Sequence, residues 1–91
     1  MEIKHGKNNF YIGETEAAPL AQMTYVPSGD HLIIIDHTMV SDVLAGQGSG
    51  KQLLQAVVAW ARSQDKKIMP LCPFAKAQME KTEAYQDMIH R

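Results

Sequence analysis

Apolar residues recur along this chain with two different periods. Leu53, Leu54, Val57, Val58 and Ala61 fall at i, i+1, i+4, i+5 and i+8, one stripe of a helix over about residues 50–64. Trp60 stands at the edge of that stripe. Upstream the period is two. Gly6-Lys7-Asn8-Asn9 is a turn signal between two short extended stretches, and Phe10-Tyr11-Ile12-Gly13 is aromatic and β-branched, as strands are. Residues 20–26 form a second strand, with Leu20, Gln22, Thr24 and Val26 on one face and Ala21, Met23 and Tyr25 on the other. Pro27-Ser28-Gly29-Asp30 turns it into a hairpin with a third strand, from residue 32 to about residue 40.

The third strand opens on four apolar residues, Leu32-Ile33-Ile34-Ile35, which predicts a central strand covered on both faces. It then turns polar at Asp36-His37-Thr38. Unbroken alternation puts His37 with Ile33 and Ile35, and Asp36 with Ile34 and Thr38. Polar groups at the end of a buried strand mark a place for a site. Beyond the helix, Lys66-Lys67 leads into Ile68-Met69-Pro70-Leu71-Cys72, a fourth strand, where Pro70 asks for an unpaired side. Strand, helix and strand in that order predict a right-handed crossover with strands three and four parallel. Residues 73–81 suit a short helix. Tyr85, Met88 and Ile89, at i, i+3 and i+4, suit a last docked helical turn. The fold class is α+β: an antiparallel meander feeding one βαβ unit, with short C-terminal helices.

Length and charge narrow the function. The 91 residues fit one domain, 1–91. A net charge of −1 argues against broad nucleic-acid binding, which shows a basic patch or stripe. The single cysteine, Cys72, excludes an internal disulfide and fits a reducing compartment. The N-terminal residues lack the apolar core of a secretory signal, and no apolar run approaches the length of a membrane span. A cytoplasmic protein with no membrane partner is the expectation. His5, His31, His37 and His90 are scattered without metal-ligand spacing, so no metal is expected. The short sheet has exposed edges, which leaves a homodimer open.

The strongest chemical signal is Ala45-Gly46-Gln47-Gly48-Ser49-Gly50-Lys51, between the third strand and the helix. Glycine lets the chain curl and lets an anion approach the backbone. Free N–H groups and the helix dipole at a helix start then favour a phosphate. Ser49 and Lys51 add side-chain donors. Two familiar phosphate patterns fail. Ala45 and Gln52 break the P-loop spacing, and the dinucleotide fingerprint is broken because its third glycine comes one residue early. Spacing alone leaves an anion cradle and a plain structural turn both open.

The neighbouring residues favour the cradle through a resemblance. With His37-Thr38-Met39-Val40 upstream, the loop 45–50, the helix, and Leu71-Cys72-Pro73-Phe74 downstream, the chain resembles the minimal single-domain branch of the GCN5-related N-acetyltransferases. Their loop reads Arg/Gln-x-x-Gly-x-Gly/Ala. Gly48 and Gly50 occupy the last two defined positions, and Ala45 departs from the first. The resemblance implies a truncated member of that fold, with its two parallel strands splayed. It implies that coenzyme A lays its pyrophosphate on Gly46, Gln47, Gly48, Ser49, Gly50 and Lys51. The pantetheine arm would pass Thr38 and Val40. Acetyl-CoA would be the acyl donor, and an amine, on a small molecule or a protein lysine, the acceptor.

Acyl transfer to an amine needs the amine deprotonated, the thioester polarised and the leaving thiolate protonated. Histidine changes charge near neutral pH, so His37 is a candidate base; a hydrogen-bonded histidine on a half-buried face is its plainer reading. Asp36 is a candidate to hold the amine or a water, against a plain bond to nearby backbone. Cys72, at the end of a strand and before a helix, is a candidate nucleophile or acyl carrier, against a small buried residue. Members of the resembling branch carry a cysteine at this position. Tyr85 reads as core packing. The alternatives to an N-acyltransferase are a non-catalytic acyl-CoA-binding module of the same fold and a phosphate-binding domain for another nucleotide.

Overall fold

A computed structural model of the chain describes residues 2–90. One five-stranded sheet runs in the order β1 (Lys4–His5), β2 (Asn9–Ile12), β3 (Ala21–Pro27), β4 (Leu32–Val40) and β5 (Lys67–Pro70). β1 to β4 form an antiparallel meander. β4 and β5 are parallel, joined through helix α1 (Ser49–Ser63). Helix α2 (Pro73–Lys81) and a 3₁₀ turn at Glu83–Met88 follow. The α+β meander with one βαβ unit is therefore the observed fold. Tyr85 and Met88 sit in the 3₁₀ turn, but Ile89 leaves it and bridges Ile68 as an extended residue on the free side of β5. Pro70, which cannot donate to a ladder, faces no strand on that side among the described residues.

The core forms where the two periods meet. Leu53, Leu54, Val57, Val58 and Ala61 of α1 are all buried. They lie on Ala21, Met23 and Tyr25 of β3 and Ile33 and Ile35 of β4, which are buried too. Each large apolar side chain here stabilises the fold by about 1.5–3 kcal/mol. Trp60, at the stripe's edge, joins Phe10, Tyr25 and His5 in an aromatic cluster that fastens β1 to the sheet.

The register between β3 and β4 slips once. Tyr25 stands opposite Ile35 and Thr24 opposite His37, so Asp36 is an extra residue with no cross-strand partner. Such a bulge reverses which face every later side chain takes. Thr38 and Val40 now share the core face with their partners Met23 and Ala21. His37 and Met39 face outward with Thr24 and Gln22. The placement of His37 beside Ile33 and Ile35, read from unbroken alternation, is thereby corrected. Asp36 keeps the side of Ile34 but parts from Thr38.

The cover over β4 is also one-sided. α1 packs against β2 through β5, and α2 lies beside it, with Phe74 touching Gly50 of α1. No helix among the described residues covers the other face. Ile34, Met39 and Met69 there are only half-buried, and His37 is exposed. The four-residue apolar run of β4 therefore does not mean a strand enclosed on both sides.

Candidate functional site

β5 stops at Pro70, opposite Ile35, while β4 runs on to Val40. The Leu71 and Cys72 N–H groups both donate to the Ile35 carbonyl, at 3.0 and 3.1 Å. That shared acceptor ends the ladder and turns the chain away. Past this point β4 has no strand on its β5 side among the described residues, so the two parallel strands open into a wedge. Cys72 is buried at its apex, and its thiol donates to the Thr38 hydroxyl oxygen at 3.2 Å. The bulge makes this contact possible, because it turns Thr38 to the core side.

The mouth of the wedge is built by the glycine stretch. A 3₁₀ turn at Asp42–Leu44 leads into Gly46 and Gly48, at φ 77° and 73°. Side chains rarely adopt that left-handed region, so both positions need glycine. Gly48 is the N-cap of α1 and offers no side chain to cap it. Helix geometry leaves the N–H groups of Gly50 and Lys51 without intrahelical acceptors. A Cβ on Gly46 or Gly48 would meet nothing within 4 Å, so the space over them is open. Gly50 differs: its Cβ would come 2.8 Å from the Phe74 ring. Its bareness serves the packing of α2 on α1.

Thr38, Val40, Gly46, Gly48, Ser49, Gly50 and Lys51 line one cleft of about 220 Å³, with Leu44 and Phe74 completing the wall. Gln47 points away from it and donates from Nε2 to the Val43 carbonyl at 3.4 Å. A second cleft, of about 280 Å³, lies between α1 and the C-terminal segment. Lys51 borders both clefts, whereas Tyr85 lines only the second. Leu44 and Phe74 were not anticipated as lining residues. Phe74 stands in the Cys-Pro-Phe stretch, which was the available signal; Leu44 carried none.

The electrostatics single out Cys72. Burial pushes its thiol up, but the Thr38 hydroxyl and the backbone N–H groups of Ala75, Phe74 and Thr38 outweigh it, leaving the thiol below its ordinary value. Two of those groups belong to the first turn of α2, where the helix dipole also favours a thiolate. Asp36 and His37 do not join Cys72 on that side of the sheet. Both are exposed on the opposite face. There the Thr24 hydroxyl donates to Asp36 Oδ1 at 2.5 Å.

Among the described residues no helix is long and apolar enough to cross a membrane. The sequence profile of the GCN5-related N-acetyltransferases matches residues 9–88. The fold is similar to the solution structure of a GCN5-like N-acetyltransferase candidate from Staphylococcus aureus. The two are 52% identical over 98% of this chain and 87% of that one, with a TM-score of 0.82. No curated protein matches the chain. A family profile spanning most of the sequence, together with a half-identical fold neighbour, places the chain in the GCN5-related N-acetyltransferase family, whose shared activity is acyl transfer from coenzyme A.

Proposed function

We propose that the chain transfers an acetyl group from acetyl-CoA to a primary amine, and that the wedge between β4 and β5 is where transfer occurs. The observation that carries this is the single cleft joining Thr38 and Val40 to the left-handed glycines and the start of α1. Backbone N–H groups at a helix start suit a pyrophosphate. The open edge of β4 beyond Ile35 suits the amides of a pantetheine arm.

In this reading the Cys72 thiolate attacks the thioester carbonyl carbon. The carbon–sulfur bond to coenzyme A breaks, coenzyme A leaves as its thiolate and takes a proton, and the acetyl group stays on Cys72 Sγ. The amine then attacks that carbonyl and Cys72 leaves as thiolate. Asp36 and His37 stand on the opposite face of the sheet, so in this reading the amine gives up its proton to water rather than to His37. The lowered thiol favours an enzyme over a non-catalytic binding module of the same fold. One unpaired cysteine suits a reducing cytoplasm.

A thermal titration tests the donor. Acetyl-CoA at about 100 times its Kd raises stability by roughly 2.7 kcal/mol, seen as a higher Tm. No rise at millimolar acetyl-CoA refutes the reading. Release of free coenzyme A with a panel of amines tests catalysis. An acetyl adduct on Cys72 in the absence of amine tests the covalent step. Full turnover by Cys72→Ala would make the cysteine structural and the transfer direct.

A further inference from the structure

Coenzyme A must leave with a proton, and the wedge holds few groups to give it one. A departing alkanethiolate is stabilised by a proton delivered as its bond breaks. Asp36 and His37 stand on the opposite face of the sheet, and Tyr85 lines only the second cleft. Ser49 and Lys51 line the first cleft at its mouth, where α1 begins. The N–H groups of Phe74 and Ala75 serve the Cys72 sulfur, but a peptide N–H keeps its proton. What remains is Thr38.

Thr38 meets both sides of the exchange. Its hydroxyl oxygen accepts from the Cys72 thiol at 3.2 Å. Its side chain also lines the cleft that runs to the glycine loop. That position rests on the bulge at Asp36, which turns residue 38 to the core side. Among the described residues the hydroxyl makes no other hydrogen bond, so its own proton is uncommitted. A hydroxyl both accepts and donates, and here the accepting side is filled and the donating side is open to the cleft.

We infer that Thr38 is a catalytic residue of the transfer, a relay that carries the proton of Cys72 to the leaving sulfur of coenzyme A. The inference rests on the covalent reading above and deepens it. As Sγ attacks the thioester carbon, its S–H bond breaks and the proton passes to Thr38 Oγ1. The Thr38 O–H bond breaks in turn, and its proton joins the coenzyme A sulfur. The carbon–sulfur bond to Cys72 forms and the one to coenzyme A breaks. Thiol and thioester thus give thioester and thiol, with no net change of charge. In the tetrahedral intermediate both sulfurs are bonded to one carbon, so a hydroxyl in contact with the first is within reach of the second.

The test compares two acetyl donors in the absence of amine: acetyl-CoA at saturation, and para-nitrothiophenyl acetate, whose acidic thiol leaves as thiolate without a proton. Mass spectrometry follows the acetyl adduct on Cys72 with the first. Absorbance follows nitrothiolate release from the second, with Cys72→Ala as the blank. Thr38→Val keeps the shape of the side chain and removes the hydroxyl. It is expected to slow acetylation by acetyl-CoA about a hundredfold beyond any slowing with the nitrothioester, an effect at the lower end of general acid–base catalysis. A change in the thiol itself falls on both donors and cancels in that comparison. Thr38→Ser, which keeps a hydroxyl, should restore most of the acetyl-CoA rate. Equal slowing with both donors overturns the inference and leaves Thr38 a positioning residue for the thiol. A serine variant as slow as the valine variant also overturns it. Wild type gives a check that needs no variant: heavy water should slow acetylation by acetyl-CoA more than acetylation by the nitrothioester, and equal slowing overturns the relay. A wild type that forms no adduct, although acetyl-CoA raises its Tm, overturns the covalent reading beneath the relay. Absence of that rise overturns the donor reading.

Discussion

The Cys72 sulfur stands 3.2 Å from the Thr38 hydroxyl oxygen, across the gap where β4 and β5 part. As a thiol it donates to that oxygen; as a thiolate it accepts from it. The second state is the one that the α2 amides also favour, and together these groups outweigh burial. The thiolate midpoint, followed by ultraviolet absorbance, is expected below the ordinary 9.0. Thr38→Val should move it upward. The sign for folding follows. A thiol depressed in the folded state adds stability fully above the unfolded value, lost as pH falls through the folded one. A midpoint that Thr38→Val leaves in place would remove Thr38 from the account.

Gly48 and Gly50 look alike in the loop pattern but are bare for different reasons. At Gly48 the constraint is the backbone, at φ 73°, with open space where a Cβ would stand. Gly48→Val should cost about 1–2 kcal/mol of left-handed strain, leaving the protein folded. It should also abolish the acetyl-CoA rise in Tm, since the side chain enters the cradle. A variant that still shows the full rise would mean that the phosphates lie elsewhere.

At Gly50 the constraint is the Phe74 ring, 2.8 Å from an added Cβ. Gly50→Ala gains about 0.5–1 kcal/mol of helix preference and loses about 1–3 kcal/mol to overpacking. A net loss of roughly 1 kcal/mol by urea denaturation is expected. In a Phe74→Ala background the same change should turn neutral or stabilising, because the ring is gone. An unchanged sign in that background would show that Phe74 is not what keeps residue 50 bare.

The difference between the two glycines shows where the sequence stops being legible. Local periods gave α1, the β3–β4 hairpin and the parallel crossover, because stripe and alternation are properties of neighbouring residues. The bulge is not such a property. Nothing in Leu32-Ile33-Ile34-Ile35-Asp36-His37-Thr38 says that one residue is extra; only the pairing with β3 does. That one residue moved Thr38 to Cys72 and His37 away from it, so both site faces were misread by one position. Gln47 and Phe74 are similar cases. Membership of the loop suggested that Gln47 faces the cleft, yet its amide turns back to Val43. The approach of Phe74 to Gly50 joins residues on different helices, a tertiary fact without a local signature.

His5 offers a pH test of how β1 is held. Its ring stacks on Phe10 with centroids 4.1 Å apart, and its Nε2 lies 2.6 Å from the Tyr25 hydroxyl. Burial lowers its pKa from 6.5, so the folded state disfavours the charged ring. The neutral ring's contribution is complete above the unfolded value, 6.5, and is lost as pH falls below it through the lowered folded one. Denaturation followed by Trp60, the only tryptophan and a member of this cluster, should show stability falling as the pH drops below the ordinary histidine value of 6.5. His5→Gln should flatten that slope. The other histidines remain in the variant, so an identical slope would assign the effect to them.

Ala45 is the position where the family loop pattern carries arginine or glutamine. It is exposed, at φ −58° and ψ 139°, which any side chain adopts without strain. It ends the 3₁₀ turn and precedes Gly46, over which the space is open. An arginine here would reach that space and add charge-assisted, bidentate hydrogen bonds to a phosphate. Ala45→Arg should therefore tighten acetyl-CoA binding by about threefold to tenfold, or roughly 0.7–1.4 kcal/mol. Because the pair is exposed, the gain should shrink from about 0.05 to about 0.5 M salt. Ala45→Gln, with no charge, should give a smaller gain that salt leaves alone. Calorimetric titration of the three proteins at two salt concentrations measures both effects. If neither substitution changes the affinity, the mouth of the loop does not hold the pyrophosphate, and the cradle must be confined to the start of α1.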